Sequence, residues 1–112
     1  MENIIYNELI IRRCSVDIGI VYSLERNKSG NPVQKAREID FIAVKGSKKV
    51  YIQSAYAMET DDKIATENKP LSLIGDSFPK IIVRYDIRKR WYDENGVLNI
   101  NVIDFLLDKG IF

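Results

Sequence analysis

Helical spacing of apolar residues occurs in three parts of the chain. Ile5 and Leu9 lie four residues apart, so they share one face of a first helix. Pro70 lies inside a second pattern, where it should kink or split the helix, and Gly75 should end that helix. Asn101 is a favoured N-cap residue and precedes a third apolar pattern. The predicted helices are residues 2–13, 59–74 and 102–109.

Alternating or continuous apolar runs predict four strands. Val16, Ile18, Ile20 and Tyr22 occupy alternate positions, which is typical of a strand that buries one face. The polar stretch 26–35 contains Gly and Pro and predicts a loop. The predicted strands are residues 16–23, 38–44, 50–56 and 80–86.

The order of these elements predicts an α/β fold, α-β-β-β-α-β, followed by a C-terminal helix. Short loops join the first three strands, so these should form an antiparallel meander. The strand at 80–86 follows a helix, which favours a right-handed parallel crossover and hence a mixed sheet. The turn sequence Asp-Glu-Asn-Gly at 93–96 adds a hairpin between short strands. Residues 1–112 should form a single domain.

Composition and charge exclude several classes of protein. Hydrophobic residues make up 46% and charged residues 29% of the chain, as in ordinary soluble domains. The net charge of +1 gives no global basic field that would attract nucleic acid. The single cysteine, Cys14, excludes an intramolecular disulfide and favours a cytoplasmic location. Because the chain has no apolar run of membrane-spanning length and no P-loop, we expect neither a membrane partner nor an ATP site in it.

Candidate chemistry lies on two neighbouring strands. Asp40 places a carboxylate inside an otherwise apolar strand, and Gln53 places an amide on the next strand. Adjacent strands bring such side chains close together. A buried carboxylate is costly without a partner, so Asp40 should contact a cation, Gln53 or a basic side chain. The alternative is a purely structural Asp40 that caps a turn or pairs with an arginine.

This arrangement resembles the metal-dependent PD-(D/E)XK nucleases, which carry an Asp on one strand and Glu-x-Lys on the next, often with a Glu from the first helix. By this resemblance Asp40 and Glu8 match the Asp and the helical Glu, and they would hold Mg²⁺ or Mn²⁺. Gln53 occupies the Glu position and Ala55 the Lys position. Gln53 offers a carbonyl oxygen without charge, and Ala55 can neither orient water nor stabilise developing charge.

Two other residues could replace the missing groups. Glu67 on the second predicted helix could supply a migrated carboxylate. Lys80 at the start of the following strand could supply a migrated lysine. The structural alternative for both is a solvent-facing residue without a catalytic role.

A closer resemblance rests on six stretches of the chain, residues 1–10, 38–41, 51–53, 67–71, 76–80 and 103–107. They are similar, in the same order, to the C-terminal nuclease-like domain that follows the ATPase module of many prokaryotic AAA+ ATPases, a domain of unknown function. In that family a Gln at the position of Gln53 is common. The resemblance implies a restriction-endonuclease-like core and a chain that is the C-terminal fragment of a larger ATPase. It also implies the ATPase module as partner, in the same polypeptide or another.

Basic and aromatic residues cluster between residues 84 and 92. Such residues contact phosphates and stacked bases in proteins that bind nucleic acid. The alternative is a solvated basic loop in which Trp91 packs against the core. The candidate DNA-binding residues are Arg84, Arg88, Lys89, Arg90 and Trp91.

Three functions are compatible with these patterns. The first is a non-catalytic nuclease-like accessory domain of an ATPase that binds DNA or the ATPase body; it is favoured because missing charge is hard to replace. The second is a metal-dependent DNA endonuclease with an altered site, using Mg²⁺ or Mn²⁺. The third is a protein-interaction domain without a role on DNA, which the small net charge permits.

Overall fold

The computed structural model describes residues 2–55, 69–85 and 89–111. Most of the second predicted helix, including Glu67, lies outside these residues. The elements in chain order are α1 (Glu2–Ile11), β1 (Ser15–Arg26), β2 (Pro32–Lys45), β3 (Lys48–Ala55), α2 (Lys69–Ser72), β4 (Lys80–Arg84), β5 (Trp91–Tyr92), β6 (Leu98–Asn101), α3 (Val102–Leu107) and a 3-10 helix (Lys109–Ile111).

The strands form one mixed sheet in the order β1-β2-β3-β4-β6-β5. β1, β2 and β3 are an antiparallel meander, whereas β3, β4 and β6 are parallel neighbours. β5 pairs antiparallel with β6 and forms the hairpin predicted at 93–96. The predicted α/β class, the meander and the parallel placement of β4 are confirmed. In the described ranges, no helix is long and apolar enough to cross a membrane.

Helices cover both faces of the central strands. On one side, here the α1 face, Ile5 and Leu9 of α1 and Phe105 of α3 pack against the sheet. On the opposite side, here the α2 face, Leu71 of α2 packs against apolar residues of β2, β3 and β4. Burial on both faces explains why β4 is a continuous apolar run rather than an alternating one.

The first helix ends two residues earlier than predicted. Arg13 has a left-handed backbone conformation, with φ of 65°, and its N–H bonds back to the Ile10 carbonyl at 2.9 Å. The Cys14 N–H bonds to the Leu9 carbonyl at 3.0 Å. This Schellman-type ending usually contains Gly, so Arg13 gives no signal of it in the sequence.

The last two helices also end earlier than predicted. α3 begins after Asn101, whose side-chain oxygen accepts a hydrogen bond from the Ile103 N–H at 2.8 Å, so the predicted N-cap is confirmed. It ends before Asp108, which has an extended backbone conformation. The described part of α2 is the single turn Lys69–Ser72, which ends before Gly75.

The β1–β2 hairpin is longer than predicted and forms a two-stranded arm, residues 20–38. The long predicted loop contracts to residues 27–31. The Asn27 side-chain oxygen accepts hydrogen bonds from the N–H groups of Ser29 and Asn31, both at 2.9 Å. Such bonds from an Asn side chain to nearby backbone close a tight turn.

Polar residues remain in the strands of the arm because they pair across it. Glu25 on β1 forms a hydrogen-bonded ion pair with Arg37 on β2 and lies 3.3 Å from the ammonium group of Lys35. The hydrogen bond from Arg37 lowers the pKa of Glu25 to about 2. The loop predicted at 26–35 is therefore confirmed only for residues 27–31, whereas its flanks belong to the two strands.

The alternation predicted for β1 is confirmed, but most of its apolar face is not buried. Val16 packs on the α1 face. Because side chains alternate along a strand, Ile18, Ile20 and Tyr22 share that face, yet all three are exposed. The expectation of a half-buried strand is wrong beyond Val16, since the described helices leave this part of the sheet uncovered.

Candidate functional site

A β-bulge interrupts β2 at Asp40. The register between β1 and β2 shifts there, so that Asp40 and Phe41 together oppose Ile18. The bulge changes the face to which β2 side chains point: Phe41 packs on the α1 face, whereas Ile39 packs on the α2 face. Bulges often occur where a strand re-aims a side chain. Asp40 therefore lies at the boundary between the packed part of β2 and the arm.

The structure brings Asp40 and Gln53 together. The side-chain oxygen of Gln53 accepts a hydrogen bond from the Asp40 N–H at 2.6 Å, and its amide nitrogen donates to the Glu38 carbonyl at 3.2 Å. In return, one carboxylate oxygen of Asp40 accepts hydrogen bonds from the N–H and the hydroxyl of Ser54, both at 2.9 Å. Each side chain thus bonds to the backbone of the other strand where the β2–β3 ladder ends.

This exchange accounts for the buried amide of Gln53. Both of its polar groups have backbone partners, as buried polar groups normally do. The carbonyl oxygen that the nuclease resemblance assigns to a metal therefore accepts a hydrogen bond from β2 instead. Ser54, which sequence reasoning did not single out, is the residue that contacts the Asp40 carboxylate.

Glu2 is a second residue that sequence reasoning missed. A carboxylate oxygen of Glu2, in the first turn of α1, lies 3.4 Å from the Ser54 hydroxyl. A helix rises about 1.5 Å per residue, so Glu2 and Glu8 are separated by about 9 Å along the axis. Which end of α1 meets the bulge depends on helix packing, and the apolar pattern of α1 carries no signal for it.

Glu8 belongs to a separate group that joins α1 to the C-terminal part of the chain. Its carboxylate pairs with Lys109 at 2.8 Å and with Arg12 at 3.0 Å. The hydrogen bond from Lys109 lowers the pKa of Glu8; burial opposes this shift, and Arg12 adds to it. The Arg12 guanidinium also donates to the Phe105 carbonyl at 2.7 Å. The structure therefore places Glu8 in these ion pairs and does not bring it to Asp40.

Neither residue considered for the lysine brings a cation to the bulge. Ala55 is buried among apolar residues of the α2 face. Lys80 lies at the other end of the β3–β4 ladder. Its ammonium group donates to the carbonyls of Asp76 and Phe78 at 2.8 and 3.0 Å. Glu67 lies outside the described residues.

The side-chain oxygen atoms at the bulge do not fit a Mg²⁺ or Mn²⁺ site. These cations need several oxygen ligands, and Mg²⁺ requires near-octahedral geometry. One oxygen of Asp40 already accepts two hydrogen bonds, and the oxygen of Gln53 accepts one. Within the described part of the chain, no group of three or more His, Cys, Asp or Glu side chains is arranged to hold a metal. No metal-dependent step follows from this geometry.

Two of the predicted DNA-binding arginines are held by other side chains. Arg84 is buried, and its guanidinium donates to the side-chain oxygen of Asn99 at 3.4 Å. Arg90 pairs with Asp108 at 2.6 Å, and this hydrogen bond lowers the pKa of Asp108. Neither arginine is therefore simply displayed to solvent for a phosphate.

The other described residues of this cluster are exposed. Lys89 lies on the surface beside β5. Trp91 and Tyr92 form β5, with 45% and 70% of their surfaces exposed, so neither belongs to the buried core of the described residues. Arg88 lies outside the described residues. Among the described residues of the cluster, the exposed cation Lys89 thus lies beside these two exposed aromatic residues.

A separate cleft of about 370 Å³ lies near the start of β4, away from the bulge. Lys80, Arg90 and Asp108 contribute polar groups to its lining. Both cations have acidic partners, Asp76 for Lys80 at 3.4 Å and Asp108 for Arg90. The cleft and the bulge are therefore distinct features of the molecule.

Comparison with known proteins relates the chain to a longer one. No family model matches the chain. It is 33% identical over 110 residues to an uncharacterized protein of Haemophilus influenzae. The similarity covers 96% of this chain and 22% of that protein, so the chain spans about a fifth of the length of the curated relative that it matches.

Proposed function

We propose that this chain is a nuclease-like accessory domain of a larger ATPase, with a restriction-endonuclease-like core that no longer cleaves DNA. It acts in the cytoplasm by binding the ATPase body or DNA. The observation that carries this proposal is the exchange of hydrogen bonds at the bulge, where Asp40 and Gln53 hold the two strands together.

The residues at the catalytic positions of the nuclease pattern have structural roles in this chain. Removing Gln53 from its partners would leave the partly buried Asp40 N–H unpaired, at a cost of about 1–3 kcal/mol. The same reasoning applies to the Asp40 oxygen that accepts two hydrogen bonds from Ser54. Ala55, at the lysine position, has no group that could replace the missing charge.

The state of the basic cluster favours the ATPase body over DNA as the partner. Affinity for DNA comes mainly from accessible cations that neutralise phosphates. Arg84 is buried and Arg90 is paired, whereas Trp91 and Tyr92 are exposed. Exposed aromatic residues are enriched in protein–protein interfaces. The length of the Haemophilus influenzae relative supports a role as one domain of a longer polypeptide.

A cleavage assay tests the loss of catalysis. The protein is incubated with linear, supercoiled and branched DNA in Mg²⁺ or Mn²⁺, beside the variant Asp40→Asn. Asn retains an oxygen that can accept the hydrogen bonds from Ser54, so the variant should stay folded. We expect no cleavage by either protein. Cleavage by the parent alone would refute the proposal.

Binding is measured separately for the two partners. A gel shift tests DNA, and titration calorimetry tests a purified AAA+ ATPase module. We expect binding to the module that weakens in Trp91→Ala, with Leu107→Ala, another exposed apolar residue, as the control. If neither partner binds, the proposed accessory role is wrong.

A metal-dependent DNA endonuclease with an altered site is the second candidate function. One observation favours it: the carboxylates of Glu2 and Asp40 share the Ser54 hydroxyl, so two acidic groups lie close together at the bulge. In that case Glu2→Gln and Asp40→Asn should each abolish cleavage, and Glu8→Gln should not. Loss of cleavage in Glu8→Gln alone would instead favour the residue predicted from the sequence.

A further inference from the structure

The edge strand of the sheet presents an uncovered apolar stripe. Ile18, Ile20, Tyr22 and Leu24 of β1 share one face, with 68%, 56%, 61% and 81% of their surfaces exposed. Four such side chains offer on the order of 300–400 Å², a size at which surface patches are often functional. The stripe lies beyond Val16, on the α1 face of the sheet.

β1 also lacks the features that usually prevent an edge strand from pairing. In the described ranges its backbone pairs only with β2. Natural edge strands carry charges, prolines or bulges that discourage pairing with another chain. Residues 18–24 contain neither a charged residue nor a proline, and the bulge at this level belongs to β2. The edge is therefore suited to accept a further strand.

We propose that β1 pairs antiparallel with β1 of a second copy of this chain, around a two-fold axis at Ile20. In this register Ile20 faces its own copy across the axis. Ile18 faces Tyr22 of the second copy, and Val16 faces Leu24. The stripe is thus complementary to itself, and each apolar side chain meets another apolar one, which stabilises strand pairs. The two sheets become one continuous sheet.

The charges on the opposite face of β1 are compatible with this register and disfavour one neighbouring register. Asp17 faces Ser23 of the second copy. Glu25 faces Ser15, so no like charges oppose each other. Moving the axis one residue towards the C-terminus would place Asp17 opposite Glu25, and like charges directly opposite each other are destabilising. A two-fold axis also limits the assembly to two copies, because the free edge of β1 in each copy is then occupied by β1 of the other.

Sedimentation equilibrium over a wide range of concentrations tests this dimer on the chain itself. Ile20→Lys places two positive charges opposite each other at the axis, and we expect the dissociation constant to rise about tenfold or more. Because Ile20 is exposed, the variant should keep the circular dichroism spectrum and unfolding temperature of the parent. Leu107→Lys, at an exposed position of α3, is the matched control and should leave the dimer unchanged.

Mixing two variants tests whether Ile20 meets its own copy. Ile20→Glu should dissociate the dimer as Ile20→Lys does. An equimolar mixture of the two should restore a dimer with one copy of each, because opposite charges then face each other at the axis. A mixture that remains monomeric would overturn the proposed register.

Cross-linking tests the register by distance. In a Cys14→Ala background, Ile20→Cys places two thiols at the axis with Cα atoms about 5 Å apart, within reach of a disulfide. In the control Ile18→Cys, the two introduced cysteines lie four residues apart along the strands, about 14 Å, which is too far for a disulfide. A disulfide-linked dimer from Ile20→Cys only is the expected result.

Two outcomes would overturn the proposed dimer with its axis at Ile20. The first is equal cross-linking of both cysteine variants. The second is a parent chain that stays monomeric, or forms open-ended oligomers, as its concentration rises. A strictly monomeric chain would instead favour another part of a longer polypeptide as the partner of the stripe. The Haemophilus influenzae relative is such a longer polypeptide.

Discussion

The apolar residues of β4 and β1 differ in burial because the two strands lie in different parts of the sheet. β4 lies between parallel neighbours with packed layers on both faces, and its residues Ile81, Ile82 and Val83 are all buried. β1 lies at the antiparallel edge, where the residues from Ile18 to Leu24 expose their apolar face. A strand's own pattern thus predicts which side chains share a face, whereas its neighbours decide whether that face is buried.

The bulge at Asp40 separates these two regions. On its packed side, β2 lies between β1 and β3 and contributes Phe41 and Ala43 to the core. On the other side, the arm at residues 20–38 has only two strands and no fully buried residue. Isolated two-stranded hairpins are marginally stable in water, so the arm depends on its ion pairs and on the junction at the bulge.

The largest expected difference comes from removing apolar side chains in the two regions. Ile100→Ala empties a fully buried site next to β4 and should lower the free energy of unfolding by about 2–5 kcal/mol. Leu24→Ala, in the arm, should change it by less than about 0.5 kcal/mol. Chemical denaturation at low protein concentration measures both. Equal effects would mean that the arm is covered in solution.

Gln53 tests the junction between the regions. Gln53→Met keeps the size of the side chain but leaves the Asp40 N–H and the Glu38 carbonyl without partners, at a cost of about 1–3 kcal/mol. Gln34→Met, on the exposed surface of the arm, is the control and should cost less than about 0.5 kcal/mol. Denaturation curves compare the two. A neutral Gln53→Met would show that these hydrogen bonds do not hold the strands together.

Gly19 tests the close packing beside the bulge. A Cβ atom at this position would lie 2.5 Å from the Ile42 side chain and 3.1 Å from the Cβ of Ile39. Gly19→Ala should therefore destabilise the protein by about 1–3 kcal/mol through overpacking. Gly75→Ala, where a Cβ meets open space, serves as the control in the same denaturation experiment. If both variants are equally stable, the strands around Gly19 can separate without cost.

The smallest expected effect is the dependence of the arm on pH. The pKa of Glu25 is lowered from 4.5 to about 2 in the folded protein, chiefly by the hydrogen bond from Arg37. Its contribution to stability is therefore present above about pH 4.5 and is lost as the pH falls towards 2. The protection of the arm's amides, measured relative to their intrinsic exchange rates at each pH, should decrease over this range in the parent. In Glu25→Gln that decrease should be smaller, and an identical profile would contradict the role of this ion pair.

The sequence by itself determined the type and order of most elements. Helical spacing, strand alternation and the Asn101 cap depend on residues near each other in the chain, so they can be recognised without the fold. The same local rules failed where distant residues compensate. Glu25 and Arg37 hold a polar stretch in the arm, and Arg13 ends α1 without the usual glycine.

At the candidate site, sequence patterns determined only that Asp40 and Gln53 lie on neighbouring strands. Tertiary structure decided that they bond to each other's backbone, that Ser54 and Glu2 lie at the bulge, and that Glu8 pairs elsewhere. It also decided that the apolar face of β1 is exposed. The physical reason is the same throughout. Burial, bulges and the direction of a helix depend on what packs against a segment, and the local sequence pattern does not specify contacts between distant residues.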